Sequence, residues 1–480
     1  MKKAGLVLAL LTTTSFSAFA GPSADDAAKL QASLQGYFGS TSDALSVTPD
    51  GDGFKAIFDF SKVFAAAKAD GAEVVVSPVE LHLTPDGTGK WKVKRDGPFS
   101  LSFKVKDQMD VQETLDGFTI DGTFDEALGT FSDYTAAATT LTFNENMTDP
   151  KGTVIKADGK IEGPSIKGTA VANAAGGADL QFVEAVTSGT VHEVITEGDK
   201  PPLNLQYKFA NGDFTGTMLG ARTAALPPLL KFFVAHPDNP SLAKDQQTLK
   251  DLLTSLLPVF NNVKGQGALN KLEIQTPLGL ASVEKLGVST NTNGAVKEGH
   301  FEEGLSVEGL VLPPGIVPAW ATSLLPKNSS LNFAITGYDA ETPAAAWVKA
   351  LDLSKDPAIA PDVGDALMAS FMPKGTVDVT ISKTSVSNDT YAFTVDSTFT
   401  AGPQAVPSGK AHITAKGLDE IMKVVQASPP EAGLQGAAAT IIAAKGLGKQ
   451  EADGTLSYDV EATPDGKITV NGTDMSKFAQ

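Results

Sequence analysis

The chain has 480 residues, no cysteine and a formal net charge of −18 at pH 7. So acidic a chain repels polyanions, which argues against nucleic acid and anionic membrane surfaces as partners. The missing thiols exclude disulfides, thiolate metal sites and a cysteine-linked lipid anchor, so a chain allowing two or three domains, or one extended array, must be held by packing alone.

The first twenty residues, MKKAGLVLALLTTTSFSAFA, join two lysines, an apolar run from Ala4 to Leu11, and Ala18 and Ala20 flanking Phe19. This pattern predicts a secretory leader over 1–20, cut after Ala20, and hence an exported, periplasmic protein. The apolar run falls well short of the roughly 20 residues that span a bilayer, and no other run approaches that length, so no transmembrane segment is expected in the mature chain.

Residues 21–220 read as a mostly antiparallel β domain opened by a helix. ADDAAKLQASLQGYF, 24–38, carries its acids in the first turn, as the helix dipole favours. Strand patterns follow: FKAIFDF at 54–60, VSPVELHL at 76–83, KWKVKR at 90–95, FSLSFKVK at 99–106, LDGFTIDGTF at 115–124, LTFNENM at 141–147 and, last, FTGTM at 214–218. In FSLSFKVK the positions Leu101, Phe103 and Val105 face one way and Ser102, Lys104 and Lys106 the other. In GKWKVKR, Lys90, Lys92 and Lys94 alternate with Trp91 and Val93, the pattern of a half-buried strand with a solvated face. TPDG recurs at Thr48–Gly51, Thr84–Gly87 and Thr463–Gly466, a hairpin tip in which Pro presets one dihedral and Gly supplies a positive φ. The first copy runs on as DGDG, yet the further oxygen ligands of a calcium loop are missing.

Residues 221–480 read as an α+β domain. LPPLLKFF and LKDLLTSLL place leucines at helical spacing, and AHPDNPSLAKDQQ, 235–247, reads as the loop between them. A helix, proline stop, loop and strand unit then repeats: TSLLP at 254–258 before KLEIQT, TSLLP at 322–326 before LNFAIT, and ASFMPK at 369–374 before TVDVTI. The middle helix is expected to run from Ile316 through Trp320 to Leu324. GLDEIMKVV and AATIIAAKGLG add two more helices before the closing hairpin. Such units cannot bury their own apolar stripe, so each helix must lie on a sheet or on a neighbouring unit. The fold class expected is α+β, a largely antiparallel, curved sheet with amphipathic helices packed on one face and concentrated in the C-terminal half.

No reaction is legible. His82, His192, His236, His300 and His412 are scattered without a metal-ligand spacing. SLAK at Ser241 and SVEK at Ser282 match Ser-x-x-Lys without partner motifs, and no phosphate loop or dinucleotide fingerprint, hence no cofactor, is visible. An outer-membrane barrel is disfavoured by the helices after residue 220, by only 6 Tyr and 3 Trp, and by a C-terminus, MSKFAQ, that does not end in an aromatic.

The stretches ADDAAKLQASLQGYFG and GTFDEALGTFSDY, and the repeated LLP units near LPPGIVPAWATSLLPKNSSLNFAITGY, resemble an uncharacterised alphaproteobacterial periplasmic family, a domain of unknown function. The arrangement is distantly similar to AsmA-like envelope proteins, and this resemblance implies curved sheets, exposed apolar surface and lipid handling. The reading is a protein that binds or transfers an apolar, lipid-like ligand in envelope maintenance. A groove lined by Phe232, Phe233, Leu256, Trp320 and Leu324 is its candidate site, with ordinary core packing the alternative for each. An envelope scaffold that meets a protein partner without a small ligand is the second hypothesis, and a hydrolase with converging carboxylates the third.

Overall fold

A computed structural model describes residues 22–475 except 40, 67–71, 237 and 430–432; residues 1–21, with the stretch read as a leader, and the last five residues lie outside it. The chain divides into two compact units, Met1–Val263 with Ala344–Gly364, and Lys264–Pro343 with Asp365–Gln480.

The first unit opens with α1 (Ala24–Gln35), the hairpin of β1 (Leu45–Asp50) and β2 (Gly53–Phe58), and α2 (Phe60–Ala66). Helix α1 starts at a reciprocal cap, Ser23 accepting from the Asp26 N–H while Asp26 accepts from the Ser23 N–H. Its Leu30 and Leu34 are buried against β1 and β2, in a core with Phe54, Phe58, Trp91 and Phe124. A run of long strands follows, each interrupted once: β3 (Ala72–Val76) with β4 (Val79–Pro85), β5 (Lys90–Asp96) with β6 (Phe99–Val105), β7 (Met109–Asp116) with β8 (Thr119–Asp125), β9 (Thr130–Ala137) with β10 (Thr140–Thr148), β11 (Val154–Glu162) with β12 (Ser165–Ala172), β13 (Ala178–Val186) with β14 (Ser188–Thr196), and β15 (Leu203–Phe209) with β16 (Asn211–Ala221).

The halves of these strands pair in two antiparallel wings. The first wing runs β1, β2, β4, β5, β8, β9, β12, β13, β16. The second runs β3, β6, β7, β10, β11, β14, β15. Between them lies a crease of breaker residues, among them Ser77-Pro78, Gly97-Pro98, Gly117 and Gly163-Pro164. Gly117 and Gly163 take φ of 58° there, and a β-carbon on Gly117 would stand 2.6 Å from the Thr139 hydroxyl. Backbone bonds close the crease, Thr139 N–H donating to Asp116 O at 2.8 Å and Ala138 N–H to Pro164 O at 2.9 Å. The inward parity slips by one residue across it, Leu115 to Ile120 and Ile161 to Ile166, as an inserted bulge residue does. Phe99 of the second wing meets Phe118 at 6.2 Å and packs on the core of the first, so the apolar faces share the inside of the bend.

Helices α3 (Leu226–Ala235), α4 (Asn239–Lys244) and α5 (Gln246–Leu256) also belong to this unit, as does the later stretch Ala344–Gly364. The second unit carries β17 (Asn262–Thr276), β18 (Gly279–Asn293), β19 (His300–Glu308) and β20 (Asn328–Thr336). After α6 (Glu341–Ala350) and α7 (Pro361–Phe371) come β21 (Val377–Ser387), β22 (Ala392–Gly402), β23 (Ala405–Lys416), α8 (Leu418–Ala427), α9 (Gln435–Leu447), β24 (Lys449–Gln450), β25 (Leu456–Ala462), β26 (Ile468–Val470) and β27 (Thr473–Asp474). Its strands β18 to β23, with β25 and β26, form a consecutive antiparallel sheet.

The sheet-rich, antiparallel architecture agrees with the sequence, and all three TPDG segments are hairpin tips with Gly51, Gly87 and Gly466 at positive φ. Other expectations need correction. Helices are not concentrated in the C-terminal half, since α1 and α2 precede residue 67. The strand read over 54–60 ends at Phe58, and Phe60 turns helical to stack on Phe58. The strand read over 115–124 breaks at the crease. The loop read over 235–247 contains α4, because Pro240 sits in the first turn, where a missing N–H costs nothing, and Asp238 caps the Ser241 N–H at 2.8 Å. The helix expected from Ile316 is a 3₁₀ turn over Ala319–Leu324, entered from Pro318 in an extended conformation.

Candidate functional site

In the first unit the strand pattern builds an apolar surface on the inside of the bend. On the second wing, Val111, Phe143, Ile161, Val191 and Tyr207 share the inward parity and are half-buried. Their outward neighbours Gln112, Asn144, Lys160, His192 and Lys208 are exposed. On the first wing Ile166, Phe182 and Phe214 point inward, and Phe182 stacks on Phe214 at 6.0 Å. At the end where β1 and β2 lie, α1 closes over this face and Trp91, Phe124 and Leu83 are fully buried. From β10 to β16 the same face keeps part of its apolar area in contact with water.

Aromatic rings on this face lie over glycines of the adjoining strand. Register places Tyr134 opposite Gly168, Phe143 opposite Gly159, Phe182 opposite Gly216 and Phe209 opposite Gly189. A β-carbon on any of these glycines would enter the facing ring. The rings therefore lie flat across the adjoining strands.

Carboxylates interrupt the apolar lining. Glu113, Glu145 and Glu193 on the second wing and Glu184 on the first all have inward parity. Tyr207 donates its hydroxyl to Glu193 at 2.9 Å. Burial first, and then the bond to Glu193 and its charge, raises the Tyr207 pKa; burial and the charge of Glu184 raise that of Tyr134. Arg95, 5 % exposed, sits where the crease meets the closed end. Its guanidinium donates to the carbonyls of Gly97, Phe118 and Pro98 at 2.7 to 2.9 Å and lies 4.6 Å from the centre of the Phe118 ring. Burial lowers its pKa, partly offset by Asp96. Alternation with lysines concealed this inward arginine in the sequence.

The outer face of the first wing holds a cleft of about 520 Å³ lined by Asp50, His82, Lys94, Asp96 and Asp121 among others. Two ion pairs cross it, His82 Nδ1 with Asp50 at 2.7 Å and Lys94 with Asp121 at 3.4 Å. Among the described residues no hydroxyl is hydrogen-bonded to that histidine, and the arrangement is that of a solvated face. His82 also has Glu80 at 3.5 Å, and each of the other histidines has a carboxylate close by: Asp158 for His192, Asp245 for His236, Glu302 for His300 and Asp459 for His412. Among the described residues no three His, Asp or Glu side chains converge as a metal site.

The sequence candidates are distributed over both units. Phe232 is buried with Leu249 and Leu351, its ring stacked 4.1 Å from that of His236. Phe233 meets Phe232 edge-on and is 44 % exposed, and Leu256 is half-buried at the end of α5. Thus α3 and α5 bury their leucines against each other and against Leu351, Leu353 and Ile359, helix on helix and loop. Trp320 and Leu324, in the second unit, are half-buried, and the Leu324 carbonyl accepts from the Tyr391 hydroxyl at 2.9 Å. The second unit exposes its own apolar row on adjacent strands, Val288, Leu305 and Leu331, each between 46 % and 49 % accessible.

Sequence reasoning missed the inner face of β10 to β16. A signal was present: Gly122, Gly159, Gly168, Gly189 and Gly216 each stand inside a strand pattern, where glycine marks close approach by another group. No family model, curated protein or solved structure matches the chain.

Proposed function

We propose that this is an exported, periplasmic protein that binds or transfers an apolar, lipid-like ligand along the inside of the bend, in envelope maintenance. The carrying observation is the contrast within one face: apolar side chains are sealed by α1 at the β1 and β2 end, and remain half-buried around Phe143, Phe182, Val191 and Phe209. Burying apolar area is worth about 25 cal/mol per Å², so a chain laid over these rings gains what the fold leaves unused. The flat placement of the rings over glycines keeps the floor low enough to receive it. The kinship to AsmA-like envelope proteins belongs to this reading.

Native mass spectrometry after mild purification tests it. The expected result is a co-purifying lipid-sized mass that is lost from a folded Val191→Gln variant, in which a polar amide replaces an inward apolar group. A clean apo mass for the parent protein that persists after incubation with total membrane lipid extract defeats the reading.

A further inference from the structure

The charges on the inner face are of nearly one sign. Every lysine of β6, β11, β12 and β15, namely Lys104, Lys156, Lys160, Lys167 and Lys208, has outward parity and is exposed. On the inward parity of β7 to β16 stand Glu113, Glu145, Glu184 and Glu193 instead. Among the described residues no Lys, Arg or His lies within ion-pair distance of Glu113, Glu145 or Glu184. Arg95, the cation at the closed end, is already held by three carbonyls.

Register brings two of these carboxylates into one transverse row: Val111, Glu145, Ala157, Glu193, Leu205. Two strand spacings separate Glu145 from Glu193, about 10 Å, and only the methyl of Ala157 stands between them. Glu113 lies diagonally beside Glu145, across from Phe143. A half-buried carboxylate without a cation is poorly screened, so a positive group placed over Ala157 is attracted from both sides and a negative one repelled. Apolar rings flank the row, Phe143 and Tyr207 on one side of it.

Resting on the apolar-ligand reading above, we propose that the inner face selects an amphiphile whose polar end is an amine, with its ammonium seated over Ala157 between Glu145 and Glu193 and its alkyl chain along the aromatic floor. The charge pattern discriminates against a fatty-acid anion of the same length.

The test compares dodecylamine, dodecanol and dodecanoate, each below its critical micelle concentration, as displacers of an apolar fluorophore from the full mature chain at neutral pH and fixed ionic strength. Dodecylamine is expected to bind at least tenfold more tightly than dodecanoate, with dodecanol between. In a Glu145→Gln/Glu193→Gln variant that ratio collapses toward one while dodecanol affinity stays the same. Equal affinities for amine and carboxylate in the parent, or a ratio unchanged in the double variant, overturn the selectivity and leave the apolar reading standing. Failure of all three to displace the fluorophore overturns both.

Discussion

A methyl group placed at Gly168 tests the ring-over-glycine floor directly. Gly168 has an ordinary strand backbone, so alanine is conformationally permitted, and at a free site the exchange stabilises by about 0.4 to 1 kcal/mol through the unfolded chain. Here the new carbon would stand 2.8 Å from Tyr134 Cζ and 3.0 Å from its hydroxyl oxygen. Tyr134 cannot swing aside freely, because its ring meets Phe131 edge-on at 5.8 Å and packs on the first core. Overpacking of this kind costs about 1 to 3 kcal/mol, which exceeds the entropic gain, so Gly168→Ala should destabilise by about 1 to 2 kcal/mol. In a Tyr134→Ala background the ring is gone, and the same exchange should stabilise by about 0.5 kcal/mol. The coupling, about 2 kcal/mol, is read from urea unfolding midpoints of the four proteins in a double-mutant cycle. If Gly168→Ala shifts the midpoint equally in both backgrounds, the rings do not depend on the glycines and the argument for a flat floor fails.

Arg95→Met removes the donors of the Gly97, Pro98 and Phe118 carbonyls while sparing the desolvation of a buried guanidinium; the lost bonds dominate, and urea unfolding should show a loss of about 2 to 4 kcal/mol. An unchanged midpoint would mean that the crease does not need its clamp. Phe232→Ala should cost about 3 kcal/mol or more and Phe233→Ser about 1 kcal/mol by the same assay, since one ring is buried and its neighbour keeps nearly half of its surface in water; similar losses for both would contradict the placement of α3. Burial alone would raise the Asp339 carboxyl, but bonds from the Thr342 N–H and hydroxyl outweigh it and hold the pKa below the ordinary range. A depressed folded value means that its stabilisation is present above the unfolded value of about 4 and is lost as pH falls through the folded one, so Asp339→Asn should flatten the acid side of a melting-temperature profile. An acid limb identical to that of the parent would refute it.

Local chemistry fixed much of this protein before any tertiary contact. Strand alternation in FSLSFKVK, the TPDG tips and the leucine spacing of α3 and α5 depend on dihedral preferences and on the 2.0 and 3.6 residue periods, which neighbouring residues alone set. Periodicity also shows that an apolar face exists, yet not what covers it. Whether α5 lies on a sheet or on α3 is decided by distant partners such as Leu351, more than ninety positions along the chain, and sequence spacing holds no record of such a meeting. The crease was hidden for a related reason: Gly97-Pro98, Gly117 and Gly163-Pro164 each read as a local break, and only the pairing of several strands aligns them into one line across a sheet. That alignment turns one face inward, and with it the carboxylates and rings on which the functional reading rests. Side-chain parity is a property of the single strand, whereas the inside of a bend belongs to the whole sheet.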